Sequence, residues 1–156
     1  MVIKILFVRL FFKIILPLRR LYWFIFRPKT LGVKTLIEHD RKYLFIKNAY
    51  GLKKWTFPGG GVKRNEKPED AAKREVLEEV NIQLPNLSYI GEYRSTREYK
   101  RDIVYCYYAS VKDDNYKLYP MEVEDAEWLT LDKIPHYKSF AVDEILNLYK
   151  QWKKSN

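Results

Sequence analysis

The sequence predicts a single α/β domain, with a mixed β-sheet sandwiched between helices and an amphipathic, basic arm at the N-terminus. The chain has 156 residues, the size of one domain, and its 47% hydrophobic residues are enough for a sizeable core. Strand-like alternation lies on both sides of an uninterrupted helix-forming stretch. The first thirty residues differ in charge from the rest, so we place the arm at residues 1–30 and the domain at residues 31–156.

The arm holds most of the net positive charge of the chain. Its basic residues are Lys4, Arg9, Lys13, Arg19, Arg20, Arg27 and Lys29. No acid occurs before Glu38, so these residues leave only +2 of the formal net charge of +9 for everything that follows. The longest uncharged run here is 21–26, far shorter than the ~20 apolar residues that a membrane-spanning helix needs. The arm is therefore not expected to cross a membrane.

Two hypotheses for the arm remain open. On a helical wheel its basic residues gather on one side and its apolar residues cover much of the rest. The basic set is Lys4, Arg9, Lys13 and Arg20, and the apolar set includes Ile5, Leu6, Phe12, Ile15 and Leu16. One hypothesis places residues 1–28 flat on an anionic membrane surface. The other packs them on the domain, or on a second protomer of a homodimer.

After the arm, the pattern of apolar residues predicts strands, turns and a closing helix in order. Strands are expected at 33–38, 43–47, 55–57, 89–97, 102–112 and 126–131, a short helical turn at 131–135 and the last helix at 141–153. The first two strands should form an antiparallel hairpin, and the two long strands should also pair. The single cysteine, Cys106, lies in an apolar run and is expected to be buried and unpaired, which fits a reducing compartment such as the cytoplasm.

The helix-forming stretch at 69–80 carries the most informative charges. Pro68 suits the first helical position, and no Gly or Pro follows before Val80. Glu75, Glu78 and Glu79 stand at i, i+3 and i+4, so their carboxylates project from one face. Like charges at these spacings cost roughly 0.2–0.5 kcal/mol each on a solvated helix. The cluster is therefore favourable where a cation sits, and hard oxygen ligands suit Mg²⁺ or Mn²⁺.

Two further features place this face in a groove. Apolar residues form a stripe beside the carboxylates, so that the helix can lie on a sheet while its acids remain accessible. The stripe consists of Ala72, Val76, Leu77 and Val80. Upstream, the glycines in Pro58-Gly59-Gly60-Gly61 allow the backbone to approach a metal or a phosphate closely.

The spacing of these residues resembles the Nudix box of the MutT-like hydrolases. The residues that carry the resemblance are Gly60, Glu66 and the run Arg74-Glu75-Val76-Leu77-Glu78-Glu79-Val80-Asn81-Ile82. There is one departure, because the pattern has Gly where Asn81 stands. That position closes the helix in the left-handed region, which Asn tolerates next best, so we expect only a small stability cost. The looser resemblance from residue 31 to 135 implies the Nudix fold.

What the resemblance implies is hydrolysis of a nucleoside diphosphate linked to a second group, with Mg²⁺ or Mn²⁺ held by the box. Carried over by position, Glu78, Glu79 and the carbonyl of Gly59 would be metal ligands. Glu75 would be a metal ligand or the base that activates water. Arg74 and Glu66 would support the catalytic groups, with Arg74 orienting a box carboxylate.

Residues outside the box complete the predicted site. In the Nudix family a carboxylate that precedes a tryptophan such as Trp128 often joins the metal ligands, so Glu122 is the first candidate here and Glu124 the second. Arg94, Arg97 and Arg101, together with Lys100, are candidates for binding substrate phosphates. The alternative for both groups is ordinary solvated charge in a loop and at a hairpin tip.

The leading function is a metal-dependent pyrophosphohydrolase for a small nucleotide, either a nucleoside triphosphate or a nucleotide sugar. One alternative is an enzyme that removes pyrophosphate or a cap from the 5′ end of RNA. The other is a catalytically idle Nudix module that binds a nucleotide. Nucleic acid is the less favoured partner, because the basic charge lies mainly in an arm rich in Phe, Leu and Ile. The expected location is cytoplasmic, including a peripheral position on the inner face of the membrane.

Overall fold

A computed structural model describes residues 15, 17–19 and 21–156 of the chain. Among these residues the strands are β1 Lys29–His39, β2 Lys42–Asn48, β3 Trp55–Thr56, β4 Ser88–Ser95, β5 Arg101–Ser110 and β6 Val123–Leu129. The α-helices after the arm are α1 Pro68–Val80 and α2 Phe140–Ser155, and short 3-10 turns occur at Arg97–Tyr99 and Leu131–Lys133. The elements predicted from the sequence are thus all present, with small differences at their ends.

The centre of the sheet is a parallel pair formed by β1 and β5. Their register runs from Lys29 opposite Arg101 to Glu38 opposite Ser110. β4 pairs antiparallel with the other edge of β5. β2 pairs with β1 only near the hairpin turn, and then pairs with β6 and β3 instead. The sheet is therefore mixed, in the order β3-β2-β1-β5-β4 with β6 beside β2.

The glycine loop, residues 58–62, pairs with the part of β1 that β2 does not cover. Residues 58–62 run beside β1 and bond to it at three points. The bonds are Thr35 N–H to the Pro58 carbonyl at 2.9 Å, Val33 N–H to the Gly60 carbonyl at 2.9 Å and Val62 N–H to the Leu31 carbonyl at 3.0 Å. The loop is consequently fixed to the centre of the sheet, directly before the box helix.

The two helices cover opposite faces of the sheet, because alternate residues of a strand point to opposite sides. Ile37, Leu44 and Ile46 pack with Val76 and Val80 of α1. Leu36, Phe45 and Cys106 pack in a second cluster with residues of α2, among them Val142 and Ile145. The prediction of a mixed sheet between helices is confirmed, and Cys106 is buried as expected.

The ends of α1 follow from the local sequence. Pro68 begins the helix, and Glu69 and Asp70 lie in its first turn, where the helix dipole favours acids. Asn81 ends it with φ 58° and ψ 31°, the left-handed conformation expected at this position, and its N–H donates to the Leu77 carbonyl at 3.1 Å. Asn81, which stands where the Nudix box usually has Gly, thus ends the helix in the conformation that Gly would adopt.

The described part of the arm contacts the domain through one side. Residues 15, 17–19 and 21–26 are helical. The centroid of the Trp23 ring lies 4.6 Å from the Arg19 guanidinium carbon and 4.9 Å from the Lys100 ammonium. The Phe24 ring meets the edge of Tyr99 at 5.1 Å between centroids. Contact with the domain therefore runs through aromatic and basic groups.

The other side of this helical segment is apolar and exposed. Leu18, Leu21, Tyr22 and Ile25 are 60%, 56%, 52% and 62% exposed. Within the described residues no helix is long and apolar enough to cross a bilayer. The wheel positions Lys4, Ile5, Leu6, Arg9, Phe12, Lys13, Leu16 and Arg20 lie outside the described residues. The boundary between arm and domain at residue 30 stays a prediction.

Candidate active site

Arg74 organises the charged residues of the box. Its guanidinium makes a paired bond to Glu66, with Nε 2.7 Å from Oε1 and Nη2 2.9 Å from Oε2. Nη1 donates to Glu75 Oε1 at 2.7 Å and to Glu78 Oε2 at 2.9 Å. Nη2 also donates to the Gly61 carbonyl at 3.0 Å. One arginine therefore orients three box carboxylates and ties them to the glycine loop.

Glu66 supports this arrangement from the loop before α1. Its Oε2 also accepts a bond from the Lys63 N–H at 2.8 Å. The bonds from Arg74, and then the bond from Lys63, lower the pKa of Glu66 to about 2. The bonds from Glu66 and Glu75 in turn raise the pKa of the Arg74 guanidinium, which keeps its charge at every working pH. This pair is ionised throughout the neutral range.

Glu79 is the buried carboxylate of the box, with 6% of its surface exposed. Its Oε2 accepts a bond from the Gly59 N–H at 2.8 Å. Burial raises the pKa of Glu79, while the ammonium of Lys34 and the Gly59 amide act in the opposite direction. A charged carboxylate in this position needs a nearby cation, because its desolvation is otherwise uncompensated.

The glycines are required by close contacts. A Cβ on Gly60 would lie 2.5 Å from Glu75 Oε2. A Cβ on Gly59 would lie 2.2 Å from the Val33 carbonyl oxygen, and the φ of Gly59 is +137°, which other residues rarely adopt. The backbone thus runs close to both β1 and the Glu75 carboxylate, and the expected approach of this backbone to a metal or a phosphate stays a prediction.

Glu122 and Glu124 differ in their surroundings. Burial raises the pKa of Glu122, and the negative charges of Glu75 and Glu78 raise it further. Glu122 therefore lies within electrostatic range of the box carboxylates. Glu124 forms an ion pair with Lys53 at 2.9 Å. The role of either residue as the completing ligand stays a prediction.

Two residues near the box were missed by sequence reasoning. Lys34 of β1 donates from Nζ to the Phe57 carbonyl at 2.7 Å and to the Gly59 carbonyl at 2.9 Å. Burial lowers the pKa of Lys34, whereas Glu79 and Glu75 raise it. Burial raises the pKa of Tyr50, and the negative charges of Glu122 and Glu79 raise it further. Tyr50 therefore lies within electrostatic range of the same carboxylates. A lysine inside a strand of otherwise buried residues was the available signal for the first.

The comparison with known proteins identifies the family. A profile described as NUDIX domain matches residues 27–149, which include every box residue. The chain belongs to the Nudix family. The predictions of the Nudix fold and of a Nudix-type nucleotide pyrophosphohydrolase are confirmed.

Relatives of this Nudix chain differ in how much of their length it matches. Oxidized purine nucleoside triphosphate hydrolase from Danio rerio is 32% identical over 126 residues, 78% of this chain and 78% of that protein. RNA pyrophosphohydrolase from Thioalkalivibrio sulfidiphilus is 32% identical over 75 residues, 48% of this chain and 42% of that protein. The chain thus spans less than half of that RNA pyrophosphohydrolase.

Solved structures share the Nudix fold. A MutT NUDIX hydrolase from Burkholderia pseudomallei superposes with a TM-score of 0.71 at 24% identity, covering 77% of this chain and 97% of that chain. The NUDIX domain of Shewanella oneidensis NrtR, complexed with ADP ribose, gives a TM-score of 0.69 at 19% identity and covers 81% and 90% of the two chains. At these identities the likeness concerns the fold.

The three arginines expected to bind substrate each have a different partner in this Nudix structure. Arg94 lies 3.8 Å from Glu92. The guanidinium of Arg97 lies over the Phe140 ring at 4.3 Å. Arg101 Nε donates to the Arg27 carbonyl at 3.3 Å. Their role in substrate binding stays a prediction.

The donor groups of the Nudix box fit a hard divalent cation by type. The carboxylates of Glu75, Glu78 and Glu79 and the carbonyl of Gly59 are the oxygen ligands that Mg²⁺ and Mn²⁺ take. Across residues 15, 17–19 and 21–156, no three His, Cys, Asp or Glu side chains are grouped tightly enough to hold a metal as they stand. Arg74 lies on two of these carboxylates and Lys34 on the carbonyl. Cationic side chains of the chain itself thus contact three of these four donors.

Proposed function

We propose that this Nudix hydrolase cleaves the pyrophosphate bond of a small nucleotide, with a nucleoside triphosphate as the leading substrate and Mg²⁺ or Mn²⁺ as the cofactor. The observation that carries the proposal is the simultaneous contact of Arg74 with Glu66, Glu75 and Glu78. A surface helix rich in glutamate would not need an arginine that reaches three acids and the glycine loop. The arrangement instead holds several carboxylates ready on a rigid element.

Each residue has a distinct task in the proposed reaction. Glu78, Glu79, the Gly59 carbonyl and Glu122 would hold the metal, with Glu124 as the less favoured alternative to Glu122. When bound, the metal neutralises phosphate charge and lowers the pKa of a bound water. Glu75 binds the metal or takes the proton from the attacking water at its carboxylate, and Arg74 fixes the direction of that carboxylate. Glu66 in turn fixes Arg74.

The choice of a nucleoside triphosphate rests on the extent of the similarity. The hydrolase of oxidized purine nucleoside triphosphates matches most of both chains, whereas the RNA pyrophosphohydrolase matches less than half of its own length. Removal of pyrophosphate from the 5′ end of RNA is the second candidate. Positive charge would help RNA to bind, but most of that charge lies in an arm rich in Phe, Leu and Ile. The intact set of charged box residues, Glu66, Arg74, Glu75, Glu78 and Glu79, argues against a catalytically idle module.

A substrate screen with Mg²⁺ and Mn²⁺ tests this proposal. Candidate substrates are ordinary and oxidised purine nucleoside triphosphates, nucleotide sugars and RNA with a 5′ triphosphate. Phosphate, pyrophosphate and nucleoside monophosphate are measured separately. We expect pyrophosphate and a nucleoside monophosphate from at least one triphosphate. Hydrolysis of the RNA alone would select the second candidate, and no hydrolysis with either metal would favour the idle module.

For the location, we propose a cytoplasmic protein whose arm lies on the inner, anionic face of the membrane. The support comes from two features of the arm. Its exposed side carries Leu18, Leu21, Tyr22 and Ile25, and no acid occurs before Glu38. Apolar residues flanked by basic ones suit the boundary between headgroups and acyl chains. Packing of the same side on a second protomer is the competing proposal.

A further inference from the structure

Lys34 occupies a position where lysine is rarely found. It lies in the middle of β1, between Val33 and Thr35, whose surfaces are 1% and 0% exposed. Its side chain is half-buried and turns toward the glycine loop. Lysine is seldom placed in such a strand unless its ammonium has partners. Here the partners are the carbonyls of Phe57 and Gly59, at 2.7 Å and 2.9 Å from Nζ.

The carbonyl that Lys34 holds belongs to a residue that also binds a box carboxylate. The N–H of Gly59 donates to Glu79 Oε2 at 2.8 Å. Gly59 is thus bonded through its oxygen to a cation and through its nitrogen to an acid. The loop cannot move off Lys34 without breaking its bonds to Val33 and Thr35 of β1. The contact is therefore part of a fixed structure, unlike that of a lysine on a free surface.

The charge of Lys34 acts on the same acids that the box presents. Both Glu79 and Glu75 lie within electrostatic range of its ammonium. Glu79 is almost completely buried, so its charge interacts strongly with a nearby cation. Arg74 contacts Glu66, Glu75 and Glu78, which leaves Glu79 to other groups. The Gly59 N–H contacts Glu79 directly, and the Lys34 ammonium is bonded to the carbonyl of the same glycine.

We propose that Lys34 is a built-in cation of the site: it offsets the charge of Glu79 and holds the Gly59 carbonyl. A divalent metal would then compete with the Lys34 ammonium for these two oxygen donors. The first consequence of this role concerns the metal-free protein, whose stability would depend on Lys34 and Glu79 together. Its second concerns affinity. Removing the ammonium makes the carboxylates more negative and frees the carbonyl, so metal should bind more tightly. Only this second consequence rests on the proposed function.

A double-mutant cycle tests the first consequence without any metal. Wild type, Lys34→Met, Glu79→Gln and the double variant are unfolded by heat in EDTA at pH 7.5. We expect Glu79→Gln to be less damaging in the Lys34→Met background than in the wild type, by about 3 °C or more in Tm. Equal shifts in both backgrounds would overturn the proposal. A Lys34→Met protein that folds only together with Glu79→Gln supports it, whereas one that is unfolded in both backgrounds contradicts it.

Mn²⁺ binding tests the second consequence, with titration calorimetry as the readout. Lys34→Met should lower the Kd for Mn²⁺ about tenfold, because a unit charge a few ångströms away is removed. Lys34→Arg keeps the charge and should stay close to the wild type. Lys42→Met, at the exposed start of β2, removes the same charge far from the box and should have no effect. Equal Kd values for Lys34→Met and wild type would refute the competition.

The two proposals fail in different ways. If neither the wild type nor any variant binds Mn²⁺, the assignment of the box as a metal site is wrong, and the cycle in EDTA still decides the role of Lys34. If the wild type binds Mn²⁺ but the cycle is additive, the metal site stands and the role of Lys34 is wrong.

Discussion

The box helix α1 and the helical segment of the arm are both amphipathic, yet they meet the rest of the molecule in opposite ways. α1 buries its small and apolar side against the sheet, and its acids are held by Arg74 and the glycine loop. The arm segment contacts the domain through Trp23 and its flanking cations, and it leaves Leu21 and Ile25 exposed. An apolar side that is buried stabilises the fold. One that is exposed is available to another surface.

If the acids of α1 are the working part of the molecule, Glu79→Gln should have the largest effect on activity. Gln keeps an acceptor for the Gly59 N–H and removes a metal ligand, so kcat/KM should fall by at least about 10³-fold, more than the ~10–100-fold typical of outer-shell changes. Glu78→Gln should act in the same direction. The matched control is Glu69→Gln, on the same helix but paired with Lys73 on the surface. Near-wild-type hydrolysis by Glu79→Gln at low millimolar Mg²⁺ would remove the metal role.

Glu75→Gln should lower kcat much more than it changes KM. Loss of a base or bridging ligand matters chiefly in the transition state, so kcat should fall by about 10²–10³-fold while KM changes little. Steady-state kinetics on the best substrate of the screen measure both constants. An unchanged kcat with a raised KM would assign Glu75 to substrate binding instead.

Variants of Glu122 and Glu124 test which carboxylate outside the box contributes to hydrolysis. The charge of Glu122 interacts with those of Glu75 and Glu78, whereas Glu124 pairs with Lys53. We therefore expect Glu122→Gln to slow hydrolysis about tenfold or more, as for other groups around a metal, and Glu124→Gln to have little effect. The two variants are controls for each other, since each removes one charge from the same segment. The reverse order would make Glu124 the completing ligand, and no effect of either would place that ligand elsewhere.

A smaller effect, on stability, is expected at Glu66. Its pKa is lowered from 4.5 to about 2 by Arg74 and Lys63, so the stabilisation is present above pH ~4.5 and is lost as the pH falls toward 2. Glu66→Gln should therefore have a lower Tm than wild type at pH 6. The difference should shrink between pH 4.5 and 2. Thermal unfolding across this range measures it, and a difference that is constant with pH would show that the charge of Glu66 is not responsible.

For hydrolysis the smallest effect is expected from the arm. Removing residues 1–28 should leave hydrolysis of small nucleotides nearly unchanged but abolish sedimentation with anionic vesicles. Ile25→Glu should do the same, whereas Leu131→Glu, an equal charge change on the domain, should not. High salt should weaken sedimentation of the full-length protein. Full-length protein that stays in the supernatant at low salt would exclude the membrane proposal. A change of oligomeric mass on truncation would favour the homodimer.

Local chemistry explains why so much of α1 could be predicted. Pro68 and Asn81 mark its ends through their own backbone preferences, and the spacing of the glutamates fixes their common face. The parallel pairing of β1 with β5 could not be read in this way, because it joins distant segments. Lys34 was missed for the same reason. Its importance depends on residues 58–62 lying along β1, which no pattern near Lys34 indicates.

The central β1–β5 pair also has a consequence for folding during synthesis on the ribosome. Thr30 Oγ1 donates to Asp102 at 2.8 Å across 72 positions of sequence. A nascent chain therefore holds β1 without its parallel partner while residues 49–110 are made, roughly 3–12 s at ~5–20 residues per second. Leu36 and Phe45 stay uncovered for longer, because they pack with Val142 and Ile145 of α2. The ribosome-bound chain is thus exposed to aggregation, and in need of a chaperone, until α2 emerges.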